Sequence, residues 1–233
     1  MSYNYSQYIV ALANTIPIAP TDPNFLTEVP NIIDDAEQRM YRELDLLDTI
    51  VRDSSAKLIF NNRTFTFPQH FVVSESINLL YPAVSPNTRI QLVPTSREFL
   101  DAVYGNEVVA APSIPQYYAM ITDQTIIVGP SPDATYGMEI VGTVRPAPLS
   151  ATNPTTYLTL YLPDAFFAAS MIFVEGYLQN FGAMADNPQS AVSWEAHYNS
   201  LIASANIEEN RKKYASQAWS PKQPAPLATP LRA

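Results

Sequence analysis

Tyr117-Tyr118-Ala119-Met120-Ile121-Thr122-Asp123-Gln124-Thr125-Ile126-Ile127-Val128-Gly129-Pro130-Ser131-Pro132-Asp133 reads as two short strands joined by a reversal and closed by a stiff turn. Aromatic and β-branched residues fill the strands, Asp123-Gln124 suits a turn, and the Gly-Pro-Ser-Pro-Asp run stops the second strand. With Met138 to Val144 the spacing predicts a three-strand antiparallel meander. Period two extends outward from here, from Ala56 to about Val144, as in Thr64-Phe65-Thr66-Phe67 and Arg89-Ile90-Gln91-Leu92-Val93. Asn61-Asn62 and Ser85-Pro86-Asn87 break it. One helix interrupts it, opening on the capping pattern Thr95-x-x-Glu98 and ending at Gly105.

Helical periodicity flanks this segment. Tyr5, Tyr8, Ile9 and Leu12 predict a short amphipathic helix over about Asn4 to Asn14, peripheral to the core, followed by a connector carrying Pro17, Pro20 and Pro23. A long helix is predicted over about Asn31 to Asp53, opened by Pro30 and capped by Asn31, with Ile33, Ala36, Met40, Leu44, Leu47 and Val51 on one stripe. Its first turns hold Asp34, Asp35 and Glu37, and Asp35 pairs with Arg39 at i, i+4. After Pro163 the apolar residues Phe166, Phe167, Ala169, Met171, Phe173, Val174, Tyr177, Leu178 and Phe181 surround the axis, which predicts a buried helix stopped by Gly182. Asn187-Pro188 starts a last helix whose stripe is Ala191, Trp194, Tyr198, Leu201 and Ala205, ending in Arg211-Lys212-Lys213.

These elements predict an α+β chain: a helical bundle (residues 31–55 and 156–214), a β-rich insert (56–155), an N-terminal helix and connector (1–30), and an extended C-terminal tail (215–233).

Composition narrows the function. Hydrophobic residues make up 47% and charged residues 15%, enough apolar content to fold. The net charge of -9 disfavours binding to DNA or RNA, which draws on clustered cations. With no cysteine, disulfides, thiolate metal sites and a cysteine nucleophile are excluded, and a reducing compartment is the simplest setting. No Lys or Arg precedes Arg39, so the N-terminal stretch does not read as a signal peptide or a mitochondrial presequence. The most apolar run, Ala165 to Val174, is well short of the roughly 20 residues that span a bilayer.

Catalytic patterns are absent from the sequence. Asp34, Asp35 and Glu37 read as a solvated helix start, and His70 and His197 have no ligand-spaced partner, so neither metal nor cofactor is expected. Gly129, Gly137 and Gly142 read as turn residues. Asn62-Arg63-Thr64, formally a glycosylation acceptor, reads as a hairpin turn. Arg211, Lys212 and Lys213 complement a helix C-terminus, with contact to DNA or an acidic partner as the alternative. A hydrolase using His70, His197 and Glu175 is the enzyme alternative.

The tail stands apart. The 15 positions 219–233, as polyproline II at about 3.1 Å each, reach roughly 45 Å, farther than the radius of a small domain. Trp219, Leu227 and Leu231 are apolar anchors, while Pro221, Pro224, Pro226 and Pro230 restrict the chain before binding. The segment is either a docking arm or a disordered end.

The order of these segments resembles adaptor (head-tail connector) proteins of tailed bacteriophages. The strand pair Tyr117 to Val128 with Gly129-Pro130-Ser131-Pro132-Asp133 is similar to theirs. Ile32-Ile33-Asp34-Asp35-Ala36-Glu37-Gln38-Arg39-Met40-Tyr41-Arg42-Glu43-Leu44 looks like the first bundle helix of adaptors from short-tailed phages. Tyr161-Leu162-Pro163-Asp164-Ala165 and Ser193-Trp194-Glu195-Ala196-His197-Tyr198 look like their helical hairpin. The resemblance covers about residues 30–214. It implies a non-enzymatic homo-oligomer, usually a ring of twelve copies, assembled in the host cytoplasm and seated in the virion neck between the portal and the tail, nozzle or fibre proteins. Such a ring encloses DNA without binding it specifically, and its C-terminal extension contacts the portal. A capsid-surface or fibre-attachment protein is the structural alternative.

Overall fold

Asn4 and Gln7 begin the first helix with a reciprocal pair of hydrogen bonds: the Asn4 side chain accepts from the Gln7 backbone and the Gln7 side chain from Asn4. The computed structural model describes residues 3–16, 18–82, 88–105, 111–178 and 188–216. Pro17, Ser85-Pro86-Asn87, Phe181, Gly182, Asn187 and the tail anchors from Trp219 to Leu231 lie outside them. The chain divides into two compact units, one built from residues up to Leu47 and from Ala147 onward, the other from Asp48–Pro146.

The first unit is helical. Helix α1 (Tyr5–Thr15) is not peripheral, since Tyr8, Leu12 and Ala13 are buried in the main core. The Tyr8 ring stacks on Phe166 at 4.7 Å, and its hydroxyl donates to the Phe166 carbonyl at 3.0 Å and meets Ser170 Oγ at 2.7 Å. Helix α2 runs Pro23–Glu43, starting eight residues before the predicted Asn31. Asp22 caps it, accepting from the Asn24 and Phe25 backbones, and Pro23 sits in the first turn, where its missing N–H costs nothing. Pro30 therefore lies inside the helix rather than opening it. It is exposed, so the Leu26 carbonyl that loses its partner can turn to water.

The helix also ends earlier than the predicted Asp53. Leu44 is extended (φ -109, ψ 130), Leu47–Thr49 forms a single tight turn, and Ile50–Asp53 is strand β1. Leu47 and Val51 thus leave the predicted stripe. Asp35 does not pair with Arg39, which bonds Glu43 on its own helix and Glu195 on the last one.

Helix α5 (Pro163–Tyr177) is the buried axis of this unit, as its all-round apolar surface predicts, preceded by a short helix α4 (Tyr157–Tyr161). Helix α6 (Pro188–Ser216) packs along it, burying Tyr198, Ile202 and Ala205.

The second unit holds two sheets. One has the order β1-β9-β4-β5, with β2 also on β9; the other has the order β3-β8-β7-β6. Their strands are β2 (Lys57–Leu58), β3 (Thr64–Thr66), β4 (Phe71–Tyr81), β5 (Thr88–Gln91), β6 (Val93–Pro94), β7 (Tyr117–Thr122), β8 (Thr125–Gly129) and β9 (Tyr136–Val144). Helix α3 (Arg97–Tyr104) is capped by Ser96, one residue after the predicted Thr95, and ends at Gly105. Phe65, Ile77, Leu79, Ile126, Val128, Met138 and Ile140 belong to a core of the unit's own.

The chain is α+β, but a helical bundle with a β-rich insert is not its architecture: nine described strands in two sheets form a body comparable in weight to the helices. The meander also fails. Strands β7 and β8 pair as read, whereas β9 crosses to the other sheet and joins β1, β2 and β4. Such pairings lie far apart in sequence and leave no local trace.

Gly129 and Gly142 are not simple turn residues. A Cβ on Gly129 would sit 2.7 Å from Leu100 and from Tyr104, so glycine lets α3 lie against β8. A Cβ on Gly142 would collide with the Val73 carbonyl, where β4 bulges twice opposite β9. A turn at Asn61-Asn62 is present, with Asn61 left-handed (φ 56) and the Asn62 side chain accepting from the Thr64 backbone at 2.9 Å, but it closes no hairpin: β2 before it pairs with β9 and β3 after it with β8, in different sheets. Arg63 beside it is buried, donating to the Val128 and Gly105 carbonyls.

Candidate functional site

The C-terminal segment leaves from a point that the helical unit holds firmly. Glu209, buried on α6, accepts from the Leu47 backbone at 3.2 Å, from the Tyr157 hydroxyl at 3.1 Å and from Lys212 Nζ at 2.6 Å. Lys212 also reaches Glu208 at 2.9 Å and Tyr157 at 2.8 Å. Burial lowers its pKa, but Glu209 and its other partners outweigh that and hold it above the usual lysine range. Lys213 forms an ion pair with Asp45. Two of the three predicted helix-end cations are thus spent within the chain, tying α6 to the end of α2 and to α4.

One surface beside α6 is concave. Tyr3, Pro163, Asp164, Phe167, Trp194 and His197 line a cleft of about 300 Å³ between the start of α5 and α6. Its aromatic walls are mutually supported: Phe167 and Trp194 meet edge to face at 6.1 Å, Trp194 and His197 at 6.1 Å, and Tyr3 backs onto Tyr8 at 5.9 Å. Asp164 accepts from the Ala165 backbone, and no described lysine or arginine pairs with it. A second, smaller hollow lined by Tyr161, Asp164, Leu201 and Glu208 continues on the other side of Asp164. Trp194, His197, Leu201 and Glu208 all lie on one face of α6.

A model of the SU10 adaptor protein family matches residues 3–225. The chain belongs to the SU10 adaptor protein family. No curated protein matches it in sequence. The adaptor is a structural protein of a tailed phage, a component of the virion neck, and none of its described helices is long and apolar enough to cross a membrane.

Within the helical unit, the two residues of the hydrolase alternative differ in exposure. Glu175 is buried on α5, accepting from Ser190 at 2.5 Å; His197 stands exposed on α6; His70 belongs to the other unit. Among the described residues no group of three His, Asp or Glu could hold a metal ion. A further buried polar cluster lies in the β unit, where Glu139 on β9 bonds Arg52, Arg89 and Asn78. Burial alone would raise its pKa, but the two guanidinium groups hold the carboxylate below its usual range.

Sequence reading of the adaptor missed Tyr3 and Glu209 as organising residues. Glu209 carried no signal, because an acid beside two lysines at a helix end reads as surface. Trp194 did stand on the predicted stripe, four residues before Tyr198. Its neighbour Phe167 was legible only as one of many apolar residues on α5.

Proposed function

We propose that the adaptor assembles as a ring, of twelve copies, that joins the portal to the tail or nozzle and surrounds the DNA channel. The family match across residues 3–225 carries this reading. The acidic balance of -9 supports it, because a ring of such subunits disfavours sticking of DNA in transit. Anchoring of α6 through Glu209, Lys212 and Lys213 supports it too, since a segment leaving a fixed point spends less entropy on docking. In this reading Trp219, Pro221, Pro224, Pro226, Leu227, Pro230 and Leu231 form the docking segment and the portal is its receiver. Assembly takes place in the host cytoplasm, and no catalysis is involved.

Mass photometry and electron micrographs of the purified chain, alone and mixed with its portal, test the proposal. Rings on the portal are expected, including from a chain that is monomeric alone. A chain that stays monomeric and unbound in both mixtures would sink it.

A further inference from the structure

The cleft at Trp194 has the features that bind proline-rich peptides. Polyproline II segments dock into aromatic-lined grooves, where alternate prolines lie against rings and a basic residue meets an acid. Here Tyr3, Phe167 and Trp194 supply the rings, and Asp164 supplies an acid with no described cation partner. The chain itself contains a fitting ligand. Positions 217–233 hold Pro221-Lys222-Gln223-Pro224, carry the cations Lys222 and Arg232, and have no acid. A basic proline-rich segment thus complements a groove on a chain whose net charge is -9.

Reach decides which copy supplies it. At about 1.5 Å per residue of helix, His197 and Trp194 lie roughly 28–33 Å back along α6 from Ser216. Pro224, the far end of the motif, is eight residues past Ser216 and gets no farther than about 25 Å as polyproline II, before the chain spends any residues on reversing direction. The motif is therefore too close to its own helix end to fill its own cleft. We infer that the Pro221–Pro224 segment of one adaptor docks in the Tyr3–Phe167–Trp194 cleft of a second copy, with Lys222 on Asp164. This divides the docking segment of the proposed function: Pro221 and Pro224 serve the neighbouring copy, and only Leu227, Pro230 and Leu231, beyond the crossing, serve the portal. The inference rests on the ring reading only in placing copies side by side.

A fluorescein-labelled peptide of residues 217–226, titrated into the full chain and followed by anisotropy, tests this directly. Saturable binding is expected, weakened at least about tenfold, a change of about 1.4 kcal/mol, when the peptide carries Lys222→Glu or Pro221→Ala with Pro224→Ala. Asp164→Lys in the protein, with its fold checked by circular dichroism, should reject the native peptide and accept the Lys222→Glu peptide. Absence of saturable binding, or binding indifferent to the peptide changes, overturns the inference whatever the protein variant does. Rings on the portal without peptide binding would remove this contact and leave the ring reading standing. Peptide binding without rings would do the reverse.

Discussion

The Glu37 carboxylate accepts a hydrogen bond from the Leu149 backbone at 3.1 Å, 112 positions along the chain, and so pins the segment returning to the helical unit onto α2. Its other oxygen accepts from the Thr156 hydroxyl at 3.3 Å. Glu37 is only 2% exposed, and burial pushes its pKa up to about 7 against the pull of these two bonds, with Asp34 adding repulsion.

A carboxyl whose folded pKa is raised binds its proton more tightly folded than unfolded. Stability from this group is therefore complete below about pH 4.5 and is lost as the pH rises toward 7, a fall of about 3 kcal/mol. Glu37→Gln keeps an acceptor for Leu149 and cannot ionise. Denaturant unfolding at a series of pH values should show the difference between variant and wild type shifting in the variant's favour between pH 4.5 and 7, then levelling. A constant difference across that range would refute the assignment.

Glu139 should behave in the opposite sense. Its pKa is held down by Arg52 and Arg89 against burial, so its contribution is present above the ordinary carboxylate pKa and disappears as the pH falls through the lowered value. Glu139→Gln is expected to cost about 1–3 kcal/mol at pH 7, the range for a charged hydrogen-bonding group, because both arginines are half-exposed and water replaces part of the loss. The cost should shrink in acid. Near-ultraviolet circular dichroism during urea unfolding would follow it.

The two close-packed glycines differ in what would have to yield. At Gly129 the obstacles are the Leu100 and Tyr104 side chains; at Gly142 the nearest obstacle is the Val73 backbone oxygen. Gly129→Ala should cost about 1 kcal/mol and Gly142→Ala about 3, the two ends of the usual range for overpacking. Equal losses in urea midpoints would show that β4 can shift as easily as α3.

Truncation after Lys213 keeps the Lys213–Asp45 and Lys212–Glu209 ion pairs and removes every proposed docking residue. The shortened chain should match the full one in thermal unfolding and lose much of its grip on the portal, measured by surface plasmon resonance. Undiminished portal binding would mean that the folded units carry the attachment.

Several features of this protein were written locally and could be read without coordinates. Pro163 opens α5 because a proline suits the first helical turn, and the apolar residues around that helix announce its burial. The strand pair Tyr117 to Gly129, the turn at Asn61-Asn62 and the stop at Gly105 depend on neighbours a few residues away. The family resemblance was legible for the same reason, since it rests on the order of such segments.

Other features arise only when distant residues meet. Nothing near Leu44 says that the helix ends there, because Ile50–Asp53 becomes a strand only by pairing with β9, about ninety residues on. The single β-rich stretch becomes two sheets for the same reason, with β9 recruited away from its sequence neighbours. The cleft is a tertiary product as well: Tyr3, Phe167 and Trp194 are ordinary aromatic residues until α1, α5 and α6 pack together. Helix caps and turns are short-range hydrogen-bond chemistry, whereas strand partners and clefts follow from which buried surfaces fit one another, and a linear reading contains no distances between them.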